Sequence, residues 1–312
     1  MTIRKTDTYI YRTADFLAAM LAWALFFAYR KWIEGTPPGV QVFNDLKFYY
    51  GILIIPAGWF LFYNLFDDYK DVYRLSRLAT LVRTFFLTLI GVTFVFFTLI
   101  LDDFVKDYRT YYQSFGVLFG LHFTLTSLVR MVLLTRVHHR LRKGLVSFPT
   151  LLIGGNQSAA ELYHNIAGRK EGLGYRFTGY VDTNGHVASA ALPLPCLGHL
   201  DQLSQIIKEH EIEDVIIAIE TSEHQRLRDI LNELFDFGDK IFIKIIPDMY
   251  DIMLGNVRMS EVYGAVLIQI KQELMPKWER LLKRLMDIGV SVLVLVLLSP
   301  VFVFVMLRVR LS

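Results

Sequence analysis

Charged residues that could do chemistry lie near the end of the 312-residue chain. Lys283 and Arg284 form a cationic pair, and Asp287 follows about one helical turn later. They precede an apolar run, 288–307, which has about the length that crosses a bilayer core. Cations beside such a run anchor the chain to lipid headgroups.

The apolar run contains Ser299 and Pro300, which predict an interrupted helix. Proline cannot donate to the carbonyl of Val296, and a serine hydroxyl can satisfy a freed backbone group. A break there leaves arms of roughly 18 Å and 12 Å, both shorter than the ~30 Å hydrocarbon layer. Because Arg308 and Arg310 make the far end basic too, we predict a re-entrant membrane helix with both ends on one face. A spanning helix with a proline kink is the alternative.

A second candidate site, for a nucleotide, lies in the middle of the chain. A glycine turn follows an apolar strand and opens a helix, which is where doubly wound folds hold phosphate on helix N-terminal amides. An acid at the end of the next predicted strand can bond a ribose hydroxyl. The candidates are Gly154, Gly155, Asn156, Ser158 and Asp182. Because the full GxGxxG fingerprint is not met, a fold without a ligand is an equal alternative.

Alternating strand and helix patterns predict an α/β domain around this turn. The predicted strands are 148–153, 176–181, 214–219 and 241–246, and the predicted helices are 159–167, 201–211 and 223–237. Such alternation is typical of a parallel sheet covered by helices on both faces, a Rossmann-like arrangement. Residues 257–271 resemble a strand pair that leads back to the membrane.

The first part of the chain predicts a membrane α-helical bundle. Hydrophobic residues make up 54% of the chain, too many for one soluble domain. Four apolar segments approach spanning length: 14–29, 48–66, 78–101 and 115–135. Basic residues before the first, between the second and third, and after the fourth place both ends of the bundle in the cytoplasm. For His122 we expect a hydrogen bond within the bundle, because no acidic partner occurs mid-segment.

Charge and cysteine content exclude several classes. The net charge of +3 sits beside apolar segments, which indicates membrane topology and no nucleic-acid partner. The single cysteine excludes an internal disulfide and a Cys-based zinc site, and no histidine spacing predicts a metal site.

The pattern KRxxDI…S…LSP carries a family resemblance. Here it reads Lys283 to Ile288, then Ser291, then Leu298-Ser299-Pro300. It resembles the start of the catalytic domain of bacterial polyprenyl-phosphate hexose-1-phosphate transferases of the monotopic kind. The larger members are similar to this chain throughout. The resemblance implies a four-helix transmembrane domain (1–143), a cytoplasmic Rossmann-like domain (144–278) and a re-entrant helix that opens a truncated sugar-transferase domain (279–312).

The same resemblance implies an activity. A sugar-1-phosphate would pass from a nucleoside-diphosphate sugar to polyprenyl phosphate at the cytoplasmic face of the bacterial inner membrane. The resemblance also implies that Lys283 and Arg284 bind the lipid phosphate and that Asp287 pairs with a neighbouring cation. Anchoring to lipid headgroups explains the two cations equally well. In the family, Mg²⁺ neutralises the diphosphate and an Asp is the nucleophile, which suits phosphoryl transfer. The family's Asp-Glu pair falls beyond Ser312, so we expect no catalytic or metal-binding residue in this chain. Inner-membrane lipids and a second copy of the chain are further expected partners.

Two other functions remain open. Without the acid pair, the chain could be a non-catalytic, membrane-tethered regulatory or assembly module. A membrane-bound sugar-nucleotide dehydratase is the weaker alternative, because no tyrosine has a lysine four residues on and the dinucleotide loop is incomplete.

Overall fold

A computed structural model describes residues 2–33, 35, 43, 45–100, 108–168, 174–183, 192–219, 224–246, 260–262, 265–270 and 277–311. The chain divides into two compact units. The first comprises Met1–Tyr11, Asp71–Leu81 and Leu128–Leu274. The second comprises Arg12–Lys70, Val82–Ser127 and Met275–Ser312. The first unit therefore joins the α/β domain with short stretches taken from the ends of membrane helices.

Among the described residues, four helices are long and apolar enough to cross a membrane, which agrees with the four predicted segments; residue 101, the end of the third segment, lies outside the described residues. They are α1 (Thr2–Ile33), α2 (Leu46–Leu65), α3 (Arg77–Val95) and α4 (Tyr108–Arg142). A π-helical turn, Phe96–Ile100, continues α3. Helices α1 and α4 extend past their predicted apolar segments at both ends, because their polar ends are helical too. A further helix, α8 (Lys277–Leu311), holds the predicted re-entrant segment.

Two tryptophans set the helix spacing in the second unit. The indole of Trp23 on α1 packs against Gly51 on α2, and the indole of Trp59 on α2 packs against Gly91 on α3. An added Cβ at either glycine would overlap the indole ring. Small residues at membrane-helix contacts allow such close approach.

His122 on α4 completes this packing. Its ring is 1% exposed and stacks on Trp59 with centroids 3.8 Å apart. Its Nε2 lies 3.0 Å from the hydroxyl of Tyr63. The expectation of a hydrogen bond inside the bundle is confirmed.

The α/β domain contains a seven-stranded mixed sheet. Its strands are β1 (Phe148–Ile153), β2 (Tyr175–Asp182), β3 (Cys196–His199), β4 (Asp214–Ile217), β5 (Phe242–Ile245), β6 (Ser260–Val262) and β7 (Ala265–Ile270). They lie in the order β3-β2-β1-β4-β5-β7-β6. The first five are parallel, and β7 runs antiparallel to both β5 and β6.

Three helices cover the two faces of the sheet. They are α5 (Gln157–Ala167), α6 (Leu203–Glu209) and α7 (His224–Phe235). Leu151 and Ile153 pack in one apolar cluster with side chains of α6 and α7, whereas Leu152 packs in another with side chains of α5. Successive side chains of a strand point to opposite faces, so β1 is buried on both.

Two features differ from the prediction. The short edge strand β3 was missed, because its four residues include Gly198 at a φ of 147° and show no apolar alternation. The sheet is also mixed, since the predicted strand pair joins its edge as β6 and β7. Within that predicted pair, residues 257–259, 263–264 and 271 lie outside the described residues.

Candidate functional site

The glycine turn after β1 is where two strand ends meet. Gly154 has a φ of 127°, a backbone conformation that side-chain-bearing residues rarely adopt. A Cβ at this position would overlap the carbonyl oxygen of Ala218, which follows β4. The amide of Ala218 donates to the carbonyl of Ile153 at 2.8 Å, so the two chains remain paired up to the turn. Only glycine allows this approach.

Helix α5 begins directly after this turn. Asn156 is its N-cap, and its side-chain oxygen accepts from the amide of Ala159 at 2.9 Å. Ser158, the second residue of α5, is exposed. Asn156 therefore caps the helix, and the hydroxyl of Ser158 lies on the surface of the first turn. A helix start carries a partial positive charge, which favours an anion.

Asp182, the last residue of β2, lies beside the same turn. A Cβ added to Gly155 would stand 3.1 Å from its Oδ1, and 3.6 Å from the ring of Tyr180. Asp182 is 7% exposed. The structure therefore brings Gly155 and Asp182 together, as the sequence predicted. Residues 184–191 and 220–223, which follow β2 and β4, lie outside the described residues.

The arrangement has the parts of a phosphate and hydroxyl site. Backbone amides of a helix start can donate hydrogen bonds to an anion, and a carboxylate on the neighbouring strand can accept a hydrogen bond from a hydroxyl. Sequence reasoning missed Ala218 and Tyr180 here. The predicted strand 214–219 includes Ala218 and could have pointed to it. Periodicity, however, does not predict that β4 lies next to β1, because that pairing is long-range.

The second candidate region lies on α8. Ser299 donates its hydroxyl to the carbonyl of Val296 at 2.8 Å, the acceptor that Pro300 leaves without its amide. The helix bends by 45° between Trp278–Pro300 and Phe304–Leu311. The predicted hydrogen bond of Ser299 to a freed backbone group is confirmed. A return to the same membrane face with a 45° bend requires the first arm to enter obliquely, so re-entry stays a prediction.

The polar start of α8 is exposed. Lys283, Arg284 and Asp287 all have exposed side chains, on a helix whose first turn carries Trp278. The ring of Trp278 stacks on Phe66, with centroids 5.9 Å apart. Because Phe66 ends α2, this contact ties the start of α8 to that end of the bundle.

The Mg²⁺ that the resemblance implies was tested against these side chains. In the part of the chain that the structure describes, no group of three or more His, Cys, Asp and Glu comes close enough to hold a metal ion. These residues do not fit the ion, and no step is assigned to it.

Comparison with known proteins decides the family. A family described as "CoA-binding domain" matches residues 68–247, more than half of the chain. The chain belongs to this family. The matched region includes α3, α4, the five parallel strands and the β1–α5 turn.

Curated relatives narrow the membership. The UDP-glucose:undecaprenyl-phosphate glucose-1-phosphate transferase of Escherichia coli is 30% identical over 37% of this chain and 24% of its own length. An enzyme of the same name from Xanthomonas campestris is 26% identical over 60% of this chain and 40% of its own. An uncharacterized sugar transferase of Haemophilus influenzae is 24% identical over 86% and 54%.

These matches confirm the resemblance found in the sequence. The chain is a member of the polyprenyl-phosphate sugar transferase family. It spans about half or less of the length of these relatives. Their activity is therefore a matter for proposal here.

Proposed function

We propose that the chain belongs to a membrane-anchored sugar transferase. The protein would move a sugar-1-phosphate from a nucleoside-diphosphate sugar to polyprenyl phosphate. The observation that carries this proposal is the similarity to two transferases whose names specify UDP-glucose and undecaprenyl phosphate. A polysaccharide of the cell envelope, such as exopolysaccharide, O-antigen or capsule, is the corresponding end product.

In this proposal α8 brings the lipid phosphate to the soluble donor. Lys283 and Arg284 are exposed at its polar start, just ahead of the apolar run, and would bind phosphate at headgroup depth. The bend at Pro300, with the Ser299 hydrogen bond, would turn the helix back toward the same face. Asp287 would orient one of the two cations.

The proposed location is the bacterial inner membrane, with the α/β domain and both termini in the cytoplasm. Four helices of spanning length and the basic flanks of their loops support this orientation. The stack of Trp278 on Phe66 supports it as well, since α2 and α8 would then share a cytoplasmic end.

The transfer proposal is tested with membranes from cells that express the gene. The assay follows label from a β-³²P-labelled UDP-sugar into extractable undecaprenyl lipid, with UDP-glucose and UDP-galactose compared. The double variant K283Q/R284Q should lose activity, because a neutral amide cannot neutralise a phosphate. The matched control R308Q/R310Q removes two cations at the far end of α8 and should retain activity. Equal loss in both variants would point to headgroup anchoring, and no labelled lipid in the wild type would overturn the proposal.

We further propose that the α/β domain is Rossmann-like and binds a nucleotide at the β1–α5 turn. The strand order β3-β2-β1-β4-β5 supports this, because ligands of doubly wound folds bind at the carboxyl ends where the order reverses. Here that point lies between β1 and β4, at Gly154 and Ala218.

Nucleotide binding is tested by calorimetry with UDP, UDP-glucose, coenzyme A and NAD⁺ as probes. The variant D182N should weaken the binding of a ribose-containing probe by about tenfold, since one acceptor loses its charge. Asp201 is an exposed acid outside the turn, so D201N is the matched control. Heat of binding without lipid labelling would favour the regulatory or assembly module over the enzyme. No heat from any probe would contradict the nucleotide proposal.

A further inference from the structure

Arg74 contacts the amino ends of the parallel strands. It is the last residue of the short turn Val72–Arg74 that precedes α3, and its side chain is 17% exposed. Its guanidinium carbon lies 4.2 Å from the ring centroid of Phe148 and 3.6 Å from that of Phe242, the first residues of β1 and β5. A planar guanidinium stacks well on aromatic rings, whereas an ammonium cannot match this geometry.

The same guanidinium pairs with a fully buried carboxylate. Its two terminal nitrogens donate to Oδ1 and Oδ2 of Asp214, at 2.9 Å and 2.8 Å. Asp214 begins β4 and its side chain has no exposure. Lys244 of β5 donates to Oδ1 at 2.7 Å and to the hydroxyl of Tyr175 at 3.0 Å. Loss of Arg74 would leave the buried Asp214 carboxylate with Lys244 as its remaining cation and with Oδ2 deprived of the Arg74 hydrogen bond, which is costly for a buried charge.

A second arginine makes a parallel contact from α1. Arg4 donates from Nη1 to both carboxylate oxygens of Glu213, at 2.7 Å and 2.6 Å. Its guanidinium carbon also lies 4.6 Å from the ring centroid of Phe148. The sheet therefore meets two arginines at the edge where β1 and β4 begin.

Asp7 ties together the segments that carry these arginines. The Nη1 of Arg140 on α4 donates to both its oxygens, at 2.7 Å and 2.6 Å. The hydroxyl of Tyr73, beside Arg74, donates to its Oδ2. Burial and the neighbouring Asp7 carboxylate raise the pKa of Tyr73 to about 12, so the phenol stays a donor. Three segments from separate helices are thus fixed to one another.

We propose that Arg4, Arg74, Glu213 and Asp214 form an ionic clasp. Through it, the α1 end and the turn before α3 hold the amino edge of the sheet, and thereby fix the orientation of the strands, and so of their carboxyl ends, relative to these two segments. β1 spans six residues, or about 20 Å, between the clasp and the β1–α5 turn. Arg74 is then a positioning residue. This inference goes beyond the proposed transfer reaction and does not depend on it.

The clasp gives Arg74 a role beyond membrane topology. Any cation in its loop would satisfy the charge rule for cytoplasmic loops. Only a guanidinium can donate to both oxygens of Asp214 while stacking between two rings. The conservative variant R74K therefore separates the topological role from the positioning role, because it keeps the charge and loses the bidentate guanidinium contact.

The test measures the distance between two spin labels in the full chain. Labels are placed by L78C and Q225C, at exposed positions on α3 and α7, in the C196S background. The unaltered clasp should give one narrow distance distribution. R74K should widen it about twofold, because lysine cannot replace the bidentate stacked contact. The control R77K alters an exposed arginine of the same segment and should leave the width unchanged.

Two further measurements keep the outcome decisive. D214N should widen the distribution as R74K does, and the double variant should widen it no further, because both remove one interaction. Helical content and gel-filtration volume must match the parent, which excludes global unfolding as the cause. A narrow distribution in both R74K and D214N, or a broad one in the parent, would overturn the proposal.

Discussion

At the scale of single residues, Gly154 best shows how sequence and structure fix the candidate nucleotide site. Its positive φ and its contact with Ala218 place the end of β1 directly against the end of β4. A side chain there would either strain the backbone or separate the strands. The turn is therefore a structural requirement of the sheet as well as a candidate binding element.

The variant G154A should destabilise the α/β domain by roughly 2–4 kcal/mol, since left-handed strain adds to overpacking. Gly238 offers a matched control, because it also has a positive φ, 56°, but nothing lies within 4 Å of an added Cβ. We expect G238A to cost only about 1 kcal/mol, from backbone strain alone. Chemical denaturation followed by far-ultraviolet circular dichroism measures the free energy of unfolding of both variants. Equal losses would contradict the steric account.

Some residue roles could be predicted from the sequence and others could not. The cap at Asn156 and the hydroxyl contact of Ser299 are local, within three residues, so turn and helix chemistry predicts them. The pairing of Arg74 with Asp214 spans 140 positions. Its one signal was a charged residue at the start of an apolar strand, and the loop arginine already had a sufficient explanation in membrane topology.

At the scale of elements, the packing of the helical bundle depends on glycines that leave room for large aromatic rings. Trp59 fills the space over Gly91 and also stacks on His122, so one indole joins three helices. The prediction of four membrane helices needed only length and hydropathy. The faces by which they pack could not be derived, because all four are apolar over most of their circumference.

The contact between Gly91 and Trp59 predicts that alanine at two glycine positions will have different effects on stability. G91A should lower the thermal stability of the bundle by about 1–3 kcal/mol, the usual cost of overpacking. G116A, on α4, meets nothing within 4 Å and should be neutral or slightly stabilising, because alanine favours helix. Thermal unfolding in detergent compares them. A loss of stability in G116A as large as that in G91A would show that the contact between Gly91 and Trp59 is not the cause.

The bend of α8 predicts a change in length. P300A restores the missing amide and should straighten the helix, so labels at M286C and L307C move apart by about 2 Å at helical rise. Ser291 lies upstream of the bend, and S291A should leave the distance as it is. Electron spin resonance in lipid vesicles measures both variants. An unchanged or shorter distance in P300A would show that proline does not cause the bend.

The fold of the α/β domain was predictable where strands are long and apolar. β1, β2, β4 and β5 each lie within a predicted run or extend it by a residue. β3 was not predicted, because a four-residue strand with Gly198 and flanking Pro195 resembles a turn in sequence. The placement of β6 and β7 on the far side of β5 is a tertiary choice that local pattern does not encode.

At the scale of the whole molecule, the chain combines membrane helices, an α/β domain and a bent terminal helix. The family match over residues 68–247 runs from the loop of Arg74 through β5. That matched region contains Arg74, Phe148, Asp214 and Lys244 together. The turn that carries Arg74 and the parallel strands thus lie within one family match as well as within one compact unit.

The central claim is that α8 turns back to the cytoplasmic face and so presents its cations to lipid phosphate. It is tested most directly by membrane-impermeant maleimide labelling of R310C in intact cells, in the C196S background, with G35C and R77C as references for the two sides. The account predicts that R310C and K283C, like R77C, react only after the membrane is permeabilised. Labelling of R310C in intact cells, together with G35C, would show that α8 spans the membrane and would contradict the account.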